Sequence, residues 1–155
     1  MRPYADTNFL TALISVGAHG DEAERLRDMA IEAGWPPFPV TFLTRMEVVN
    51  ALYQQVFFAR NGVPGIHASP EAAAIDDTLF SDELELGETM AVAEIDIALL
   101  GEAFEMLVHR HTIKHGFRTY DLIHVASALA LGCDIFWSFD AKAKKLAKLE
   151  GLKVN

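Results

Sequence analysis

Short apolar runs alternate with longer stretches of helical spacing along the whole chain. The extended run Arg2–Ala5 stops at Asp6-Thr7-Asn8, and helical spacing follows from Asn8 to about Val16. The same pattern predicts further strands at about 40–43, 89–95, 133–139 and 152–154. It predicts further helices at about 21–33, 44–60, 97–115, 119–131 and 141–150, with one or two short helices from Ser69-Pro70-Glu71 to Gly87.

This alternation indicates an α/β domain with a mostly parallel central sheet of four to five strands and helices on both faces. The 155 residues, 51% of them hydrophobic, suit a single domain that spans residues 1–155. Right-handed crossovers place the strand-to-helix junctions along one edge of the sheet. Ligands usually bind at that edge in open α/β sheets, so polar residues at the junctions are candidate site residues.

Cellular location follows from the apolar runs and the cysteine count. The apolar runs are too short and too interrupted to span a bilayer, and the N-terminus has no signal-peptide pattern. The single cysteine, Cys133, excludes an internal disulfide and is expected to pack in the core. We therefore expect a cytoplasmic protein with no membrane association.

The charge balance is acidic, with 13 Lys and Arg against 22 Asp and Glu, a net charge of −9 and a pI near 5.0. This argues against non-specific nucleic-acid binding through a basic face alone. No Lys or Arg occurs between Arg60 and Arg110, whereas acidic residues are frequent from Glu71 to Glu105. We hypothesise that this acidic segment receives a basic partner segment. Basic residues after Arg110 leave room for a basic rim around an acidic pocket.

Four carboxylates stand close to the starts of four predicted helices: Asp6, Glu47, Asp121 and Asp140. Each also has a purely local interpretation. Asp6 is a good helix cap, Glu47 forms a Thr-x-x-Glu capping box with Thr44, and Asp121 is favoured by the helix dipole. A fifth carboxylate, Asp96, is expected to be a plain cap.

A shared edge would bring the four carboxylates together, and their mutual repulsion would then require protons or cations. Mg²⁺ or Mn²⁺ suits such a set because these ions prefer oxygen ligands. One or two ions would activate water and stabilise the charge on a phosphodiester. In this interpretation nucleic acid is bound through the metal, and basic residues at the rim hold flanking phosphates.

The ordered motifs resemble the PIN-domain family, and within it the VapC-type toxins of bacterial toxin–antitoxin pairs. The resemblance covers essentially the whole chain and implies a PIN-like three-layer α/β/α fold. It is carried by four segments: Tyr4-Ala5-Asp6-Thr7-Asn8, Thr44-Arg45-Met46-Glu47, Arg118 through Ala128, and Trp137-Ser138-Phe139-Asp140. Ser138 stands where the family often has Thr, Pro3 lies in the first strand, and the Glu71–Glu88 segment is longer and more acidic than usual.

The resemblance implies a metal-dependent endoribonuclease whose acidic quartet is Asp6, Glu47, Asp121 and Asp140. Asp6 and Asp121 would ligate the metal directly and Asp140 directly or through water, while Glu47 would bind a second ion or orient the attacking water. Asn8 and Ser138 match polar positions that hold the carboxylates. Family members of this type commonly form homodimers and are silenced by a small antitoxin that also binds DNA.

Three further features keep alternatives open. Arg118 either binds substrate phosphate or pairs with a site carboxylate. His124 is expected to be buried and hydrogen-bonded rather than a general base, since a metal-activated water needs no histidine. The Lys142–Lys148 stretch is most simply a solvated helix face. Two other classes of function also remain: a non-catalytic PIN-like binding module, and a Mg²⁺-dependent phosphoryl-transfer or receiver domain, whose Asp and Lys motifs the sequence does not match.

Overall fold

The computed structural model describes residues 1–15 and 17–155. In this part of the chain five strands alternate with helices. The strands are β1 (Pro3–Ala5), β2 (Phe38–Val40), β3 (Met90–Val92), β4 (Ile135–Trp137) and β5 (Lys153–Val154). The helices are α1 (Thr7–Ile14), α2 (Gly20–Glu32), α3 (Phe42–Arg60), α4 (Pro70–Leu86), α5 (Ile97–Leu107), α6 (Ile113–His115), α7 (Thr119–Ala130) and α8 (Ala141–Leu149). One π-helical turn, Val108–Thr112, joins α5 to α6.

All pairings between the described strands are parallel, which confirms the predicted fold class. One group has the order β1-β4-β5, and the other consists of β2 and β3. In the first group Ala5 lies opposite Trp137, and in the second Val40 lies opposite Val92. Because β1 lies beside β2, the two groups are neighbours. Thr7, which follows β1, bonds to Glu47 near the start of the helix after β2, so the carboxyl ends face the same edge.

Two apolar cores cover the two faces of the sheet, because successive side chains of a strand point to opposite sides. Ile135 and Trp137 of β4 pack in the core formed with α1, α2, α3 and α4. Phe136, between them, packs in the core formed with α5, α7 and α8. Ala5 and Tyr4 of β1 divide between the two cores in the same way. The molecule therefore has the predicted three layers.

Most predicted elements are present, but several boundaries are wrong. The second strand was expected at 40–43 and lies at Phe38–Val40, because Thr41 ends it as the N-cap of α3. The Thr41 hydroxyl accepts a hydrogen bond from the Thr44 N–H at 3.3 Å. The third, fourth and fifth strands are shorter than predicted. The predicted cap Asp21 lies inside α2, whose N-cap is His19, and Val16 lies outside the described residues.

The predicted cap Asp96 and the helix start predicted at Ser69-Pro70-Glu71 are confirmed. The Asp96 carboxylate accepts hydrogen bonds from the N–H groups of Ala98 and Leu99, so Asp96 caps α5. The Ser69 hydroxyl caps α4, which is one helix of 17 residues with Pro70 in its first turn. Within the described residues no helix is both long and apolar enough to traverse a membrane.

Candidate functional site

The carboxyl ends of β1 and β4 bring Asp6 next to Ser138. The Asp6 N–H donates to the Trp137 carbonyl at 3.0 Å, which continues the strand pairing by one residue. Asn8 ties the two segments together. Its amide donates to Asp6 Oδ2 at 3.0 Å, and its side-chain oxygen accepts from the Phe139 N–H at 2.7 Å. Ser138 is fully buried, and its hydroxyl accepts from the Asp140 N–H at 2.8 Å. Asn8 therefore contacts the Asp6 carboxylate, and Ser138 contacts the backbone of Asp140.

Asp6 is at once a helix cap and a residue of the site. Its Oδ1 accepts a hydrogen bond from the Phe9 N–H at 3.1 Å, which caps α1. Its side chain is buried, with 3% of the residue exposed. Burial raises the pKa of Asp6 to about 6, although His124 and the Phe9 and Ser138 hydrogen bonds act in the opposite direction. A cation would relieve the cost of holding this buried carboxylate ionised.

Glu47 of α3 faces the same edge and does not form the predicted capping box. Its Oε2 accepts from the Thr7 hydroxyl at 2.6 Å and lies 2.5 Å from His124 Nε2. Burial raises the pKa of Glu47, but the hydrogen bond and charge of His124, together with Thr7, outweigh it, so this pKa lies below its usual value. Of the two interpretations of Glu47, the local one does not hold, because the Thr44 N–H donates to the Thr41 hydroxyl instead.

His124 is buried and hydrogen-bonded, as predicted. Its Nε2 contacts Glu47, and its Nδ1 lies 2.9 Å from the Tyr4 hydroxyl. The Tyr4 hydroxyl continues the network to the Thr44 hydroxyl at 3.1 Å. The sequence pattern did not predict that Thr7, Tyr4 and Thr44 belong to this hydrogen-bond network. Their polar groups sit on segments that look like an ordinary buried strand and helix start, so no local signal marks them.

Arg118 joins the remaining two carboxylates. Its Nη2 lies 2.9 Å from Asp121 Oδ1 and 2.7 Å from Asp140 Oδ2, and its Nε donates to Asp121 Oδ2 at 3.1 Å. The pKa of Arg118 is raised, first by the hydrogen bonds to Asp121 and Asp140 and then by their charges. Of the two expectations for Arg118, the structure shows the pairing with site carboxylates.

Asp140 is the N-cap of α8 and accepts from the Lys142 and Ala143 N–H groups at 2.7 and 3.2 Å. Burial raises the pKa of Asp140, but these backbone donors and Arg118 outweigh it and hold the pKa below its usual value. Asp121 lies in the first turn of α7, which follows helical segments rather than a strand. It reaches the edge because α7 leads directly into β4 and runs antiparallel to it. Asp121 itself is only 5% exposed.

All four predicted carboxylates line one cavity of about 760 Å³, together with Asn8, Arg118 and His124. The lining also includes Asp76, so the described part of the chain contributes five carboxylates and one guanidinium to the cavity. Within residues 1–15 and 17–155, no three His, Cys, Asp or Glu side chains converge closely enough to hold a metal ion. Arg118 accounts for part of this, since its guanidinium lies across Asp121 and Asp140. The donors are carboxylate oxygens, which is the chemistry that Mg²⁺ and Mn²⁺ prefer, so the residue types fit these ions.

Comparison with protein families matches residues 4–149 to the PIN domain. Among proteins with curated functions, no sequence matches the chain significantly. Three solved structures share the fold. VapC20 of Mycobacterium tuberculosis, a sarcin-ricin loop cleaving toxin, is 19% identical with a TM-score of 0.60, and the match covers 92% of this chain and 93% of that one.

The other two are toxin–antitoxin complexes. VapBC2 of Rickettsia felis, bound to a DNA fragment from its promoter, is 12% identical with a TM-score of 0.65 over 100% of this chain and 98% of that one. VapBC-1 of nontypeable Haemophilus influenzae is 14% identical with a TM-score of 0.62 over 100% and 97%. At these identities the likeness shows the fold.

Proposed function

The chain belongs to the PIN domain family, and we propose that it is a Mg²⁺- or Mn²⁺-dependent endoribonuclease that acts as the toxin of a VapBC-type toxin–antitoxin pair. One observation carries this proposal. Four carboxylates from four separate segments, Asp6, Glu47, Asp121 and Asp140, line one cavity at the carboxyl edge of a parallel sheet. An RNA phosphate enters such an acidic cavity only if cations neutralise it.

In this proposal Asp6 and Asp121 hold the ion, with Asp140 beside them, and Glu47 positions the attacking water. A bound ion would lower the pKa of that water and stabilise the charge on the phosphodiester. Asn8 and Ser138 orient Asp6 and Asp140 through the hydrogen bonds described above. His124 and Thr7 hold the Glu47 carboxylate from two sides. If Asp121 and Asp140 held a cation, Arg118 would be released from its ion pairs with them and could contact a flanking phosphate.

The decisive test is cleavage of a mixed cellular RNA pool by purified protein in Mg²⁺, in Mn²⁺ and in EDTA. We expect cleavage in either metal and none in EDTA. Asp121→Asn should lower the rate by at least about a hundredfold, because a ligand of the reacting metal is lost. Asp82→Asn changes an exposed carboxylate on α4 and serves as the matched control, with an unchanged rate. Cleavage that survives Asp121→Asn would contradict the proposed site.

A non-catalytic PIN-like module is the second candidate. It is favoured by the ion pairs of Arg118, which already neutralise Asp121 and Asp140 without a metal. The two candidates differ in thermal unfolding. A nuclease site binds divalent ions and gains stability from them, whereas a module without a metal site shows no shift in Tm with Mg²⁺ or Mn²⁺. No cleavage together with no shift would favour the module.

Two protein partners follow from the toxin assignment: a cognate antitoxin and a second copy of the chain. The outer face of α3 carries four exposed apolar side chains at helical spacing, Phe42, Met46, Tyr53 and Phe57. Such a stripe marks a protein–protein contact more often than a solvated surface. Light scattering of the purified protein, alone and after co-expression with the adjacent open reading frame, measures both associations.

A further inference from the structure

The cavity extends well beyond the four carboxylates. From Asp6 it follows α1 past Thr7, Thr11 and Ser15, which lie one helical turn apart, over about 12 Å along the helix axis. The part of the lining away from the four carboxylates, here called the distal pocket, includes Ala12, Ser15, Gln55, Ile66, His67 and Asp76. The mechanism proposed above uses none of these six residues.

The distal pocket has the wrong charge for a phosphate. Among the described lining residues the one Lys or Arg side chain is Arg118, which is paired with Asp121 and Asp140. The distal pocket instead holds the Asp76 carboxylate and the Gln55 amide beside small apolar surfaces. A half-buried carboxylate favours a ligand that donates hydrogen bonds, and burial raises the pKa of Asp76 in keeping with its partly desolvated position.

The distal pocket lies between separate parts of the fold. Its walls come from three separate segments: α1, the middle of α3, and the connection from Pro64 to Ala68 together with the start of α4. Small residues, Ala12, Ala68 and Ala72, leave room between these walls. An RNA strand whose phosphate lies at the carboxylates has a base that can enter this space, because the cavity is continuous.

We propose that the distal pocket binds the base of a nucleotide adjacent to the cleaved phosphate, and that Asp76 and Gln55 select a base with an exocyclic amine. Adenine, cytosine and guanine each carry such a donor, whereas uracil does not. A polar site of this kind discriminates, because uracil offers Asp76 only its ring N–H, which lies between two carbonyl oxygens that repel a carboxylate. This inference rests on the proposed nuclease function and adds its substrate preference.

The test is cleavage of a randomised RNA library followed by sequencing of the product ends. The wild-type protein should disfavour uridine by about tenfold or more at one position next to the cut. Asp76→Asn and, separately, Gln55→Ala should each reduce that preference severalfold. Asp82→Asn, an exposed carboxylate on the same helix as Asp76, is the matched control and should leave the preference unchanged. Circular dichroism and Tm identify a variant that fails to fold. If one of the two variants fails in this way, the cleavage preference of the other one tests the inference.

A second readout separates this inference from the proposed function. Binding of cytidine, adenosine and uridine monophosphates is followed by NMR in Ca²⁺, with the wild type and Asp76→Asn. If uridine monophosphate binds more weakly than the other two nucleotides and Asp76→Asn removes this difference, the inference about the pocket is supported even when no RNA is cut. In that case only the proposed nuclease function fails. Equal binding of all three nucleotides, an unchanged cleavage preference, or an Asp76→Asn defect confined to antitoxin binding would overturn the inference.

Discussion

The guanidinium of Arg118 competes with any cation for the same two carboxylates. It lies within 3 Å of both Asp121 Oδ1 and Asp140 Oδ2, and its own side chain is 60% exposed. An exposed ion pair of this kind is worth at most about 1 kcal/mol, so a divalent ion can displace it. Arg118 therefore neutralises the site in the absence of metal without closing it.

We predict that Arg118→Gln raises the affinity for Mn²⁺ by about fivefold, because the competing ion pair worth about 1 kcal/mol is removed. RNA cleavage should nevertheless fall, because the contact to a flanking phosphate is lost. Isothermal titration with Mn²⁺ measures the first effect and the RNA assay the second. Arg27→Gln, which removes an exposed pair with Asp28 far from the cavity, is the control. Unchanged or weaker Mn²⁺ binding would show that Arg118 does not compete with the ion.

Asp6 gives the metal-free protein a specific pH dependence. Burial raises its pKa from 3.8 to about 6 in the folded state, with Glu47 of α3 adding to the rise and His124 of α7 opposing it. The folded state therefore holds this proton more tightly than the unfolded chain. The contribution of this proton to the free energy of unfolding is complete below about pH 4 and is lost as the pH rises through about 6. The loss is on the order of 3 kcal/mol.

Asp6→Asn removes this titration and keeps a capping side chain. In EDTA, the stability of the variant relative to the wild type should rise between pH 4 and pH 7 by on the order of 3 kcal/mol. Urea unfolding at several pH values measures the difference, in which the titrations of other groups largely cancel. A difference that does not change with pH would mean that Asp6 is ionised normally in the folded protein.

At individual residues, the sequence predicted four of the five described carboxylates that line the cavity, but not what those four contact. Asp6, Asp121 and Asp140 could be placed because each starts a helix at a recognisable position. The contacts of Glu47 were not predictable from its neighbours, since Thr7 and His124 lie 40 and 77 residues away in the chain. Local spacing favoured a capping box, and tertiary contacts replaced it.

Acidic residues that cap helices look alike in the sequence, but some of them line the cavity and others do not. Asp6, Asp96 and Asp140 all cap helices through their carboxylates, but Asp96 does not line the cavity. We predict that Asp96→Ala lowers the free energy of unfolding by about 1 kcal/mol, the usual cost of losing a cap. Cleavage at temperatures below Tm should be unchanged. Urea unfolding and the RNA assay test both parts, and a loss of cleavage would place Asp96 in the site after all.

Element order was predictable because strands and helices alternate with distinct periods, whereas the boundaries of the strands were not. An apolar run gives no sign of where pairing stops. Thr41 ends β2 by capping α3, so Phe42 and Leu43, which read as strand, belong to a helix. The extent of α4 was not predictable either, since one or two short helices were expected up to Gly87 and the structure has one helix of 17 residues. Its acidic sequence has weak apolar periodicity, and it is held by its cap and by packing of Phe80 and Leu84 in the core.

Over the whole molecule, the shared edge was predictable and the shape of the cavity was not. Parallel pairing and right-handed crossovers place the strand ends together whatever the side chains are. The distal pocket depends on how the Pro64–Ala68 connection and α4 fold back over α1, and no periodic pattern specifies that path. The acidic residue Asp76, expected on a surface for a basic partner, lines the cavity for the same reason.

The net charge of −9 decides how RNA must be bound. Association should be undetectable in EDTA and appear with Ca²⁺, an oxygen-preferring ion, because the acidic cavity repels phosphates without a cation. Fluorescence anisotropy with a labelled RNA, checked for integrity on a gel, measures this. Raising KCl from 50 to 200 mM should weaken binding by less than about tenfold, far less than for a protein held by many basic contacts.

Asp121→Asn is the control for this measurement, since Ca²⁺ should no longer restore binding when a proposed ligand is lost. The alternative is binding through the lysines of α8, of which Lys142, Lys145 and Lys148 are exposed. That mode needs no divalent ion and declines steeply with salt. Tight binding in EDTA with a steep salt dependence would therefore assign RNA recognition to the α8 lysines and remove the argument that this acidic protein reaches its substrate through metal.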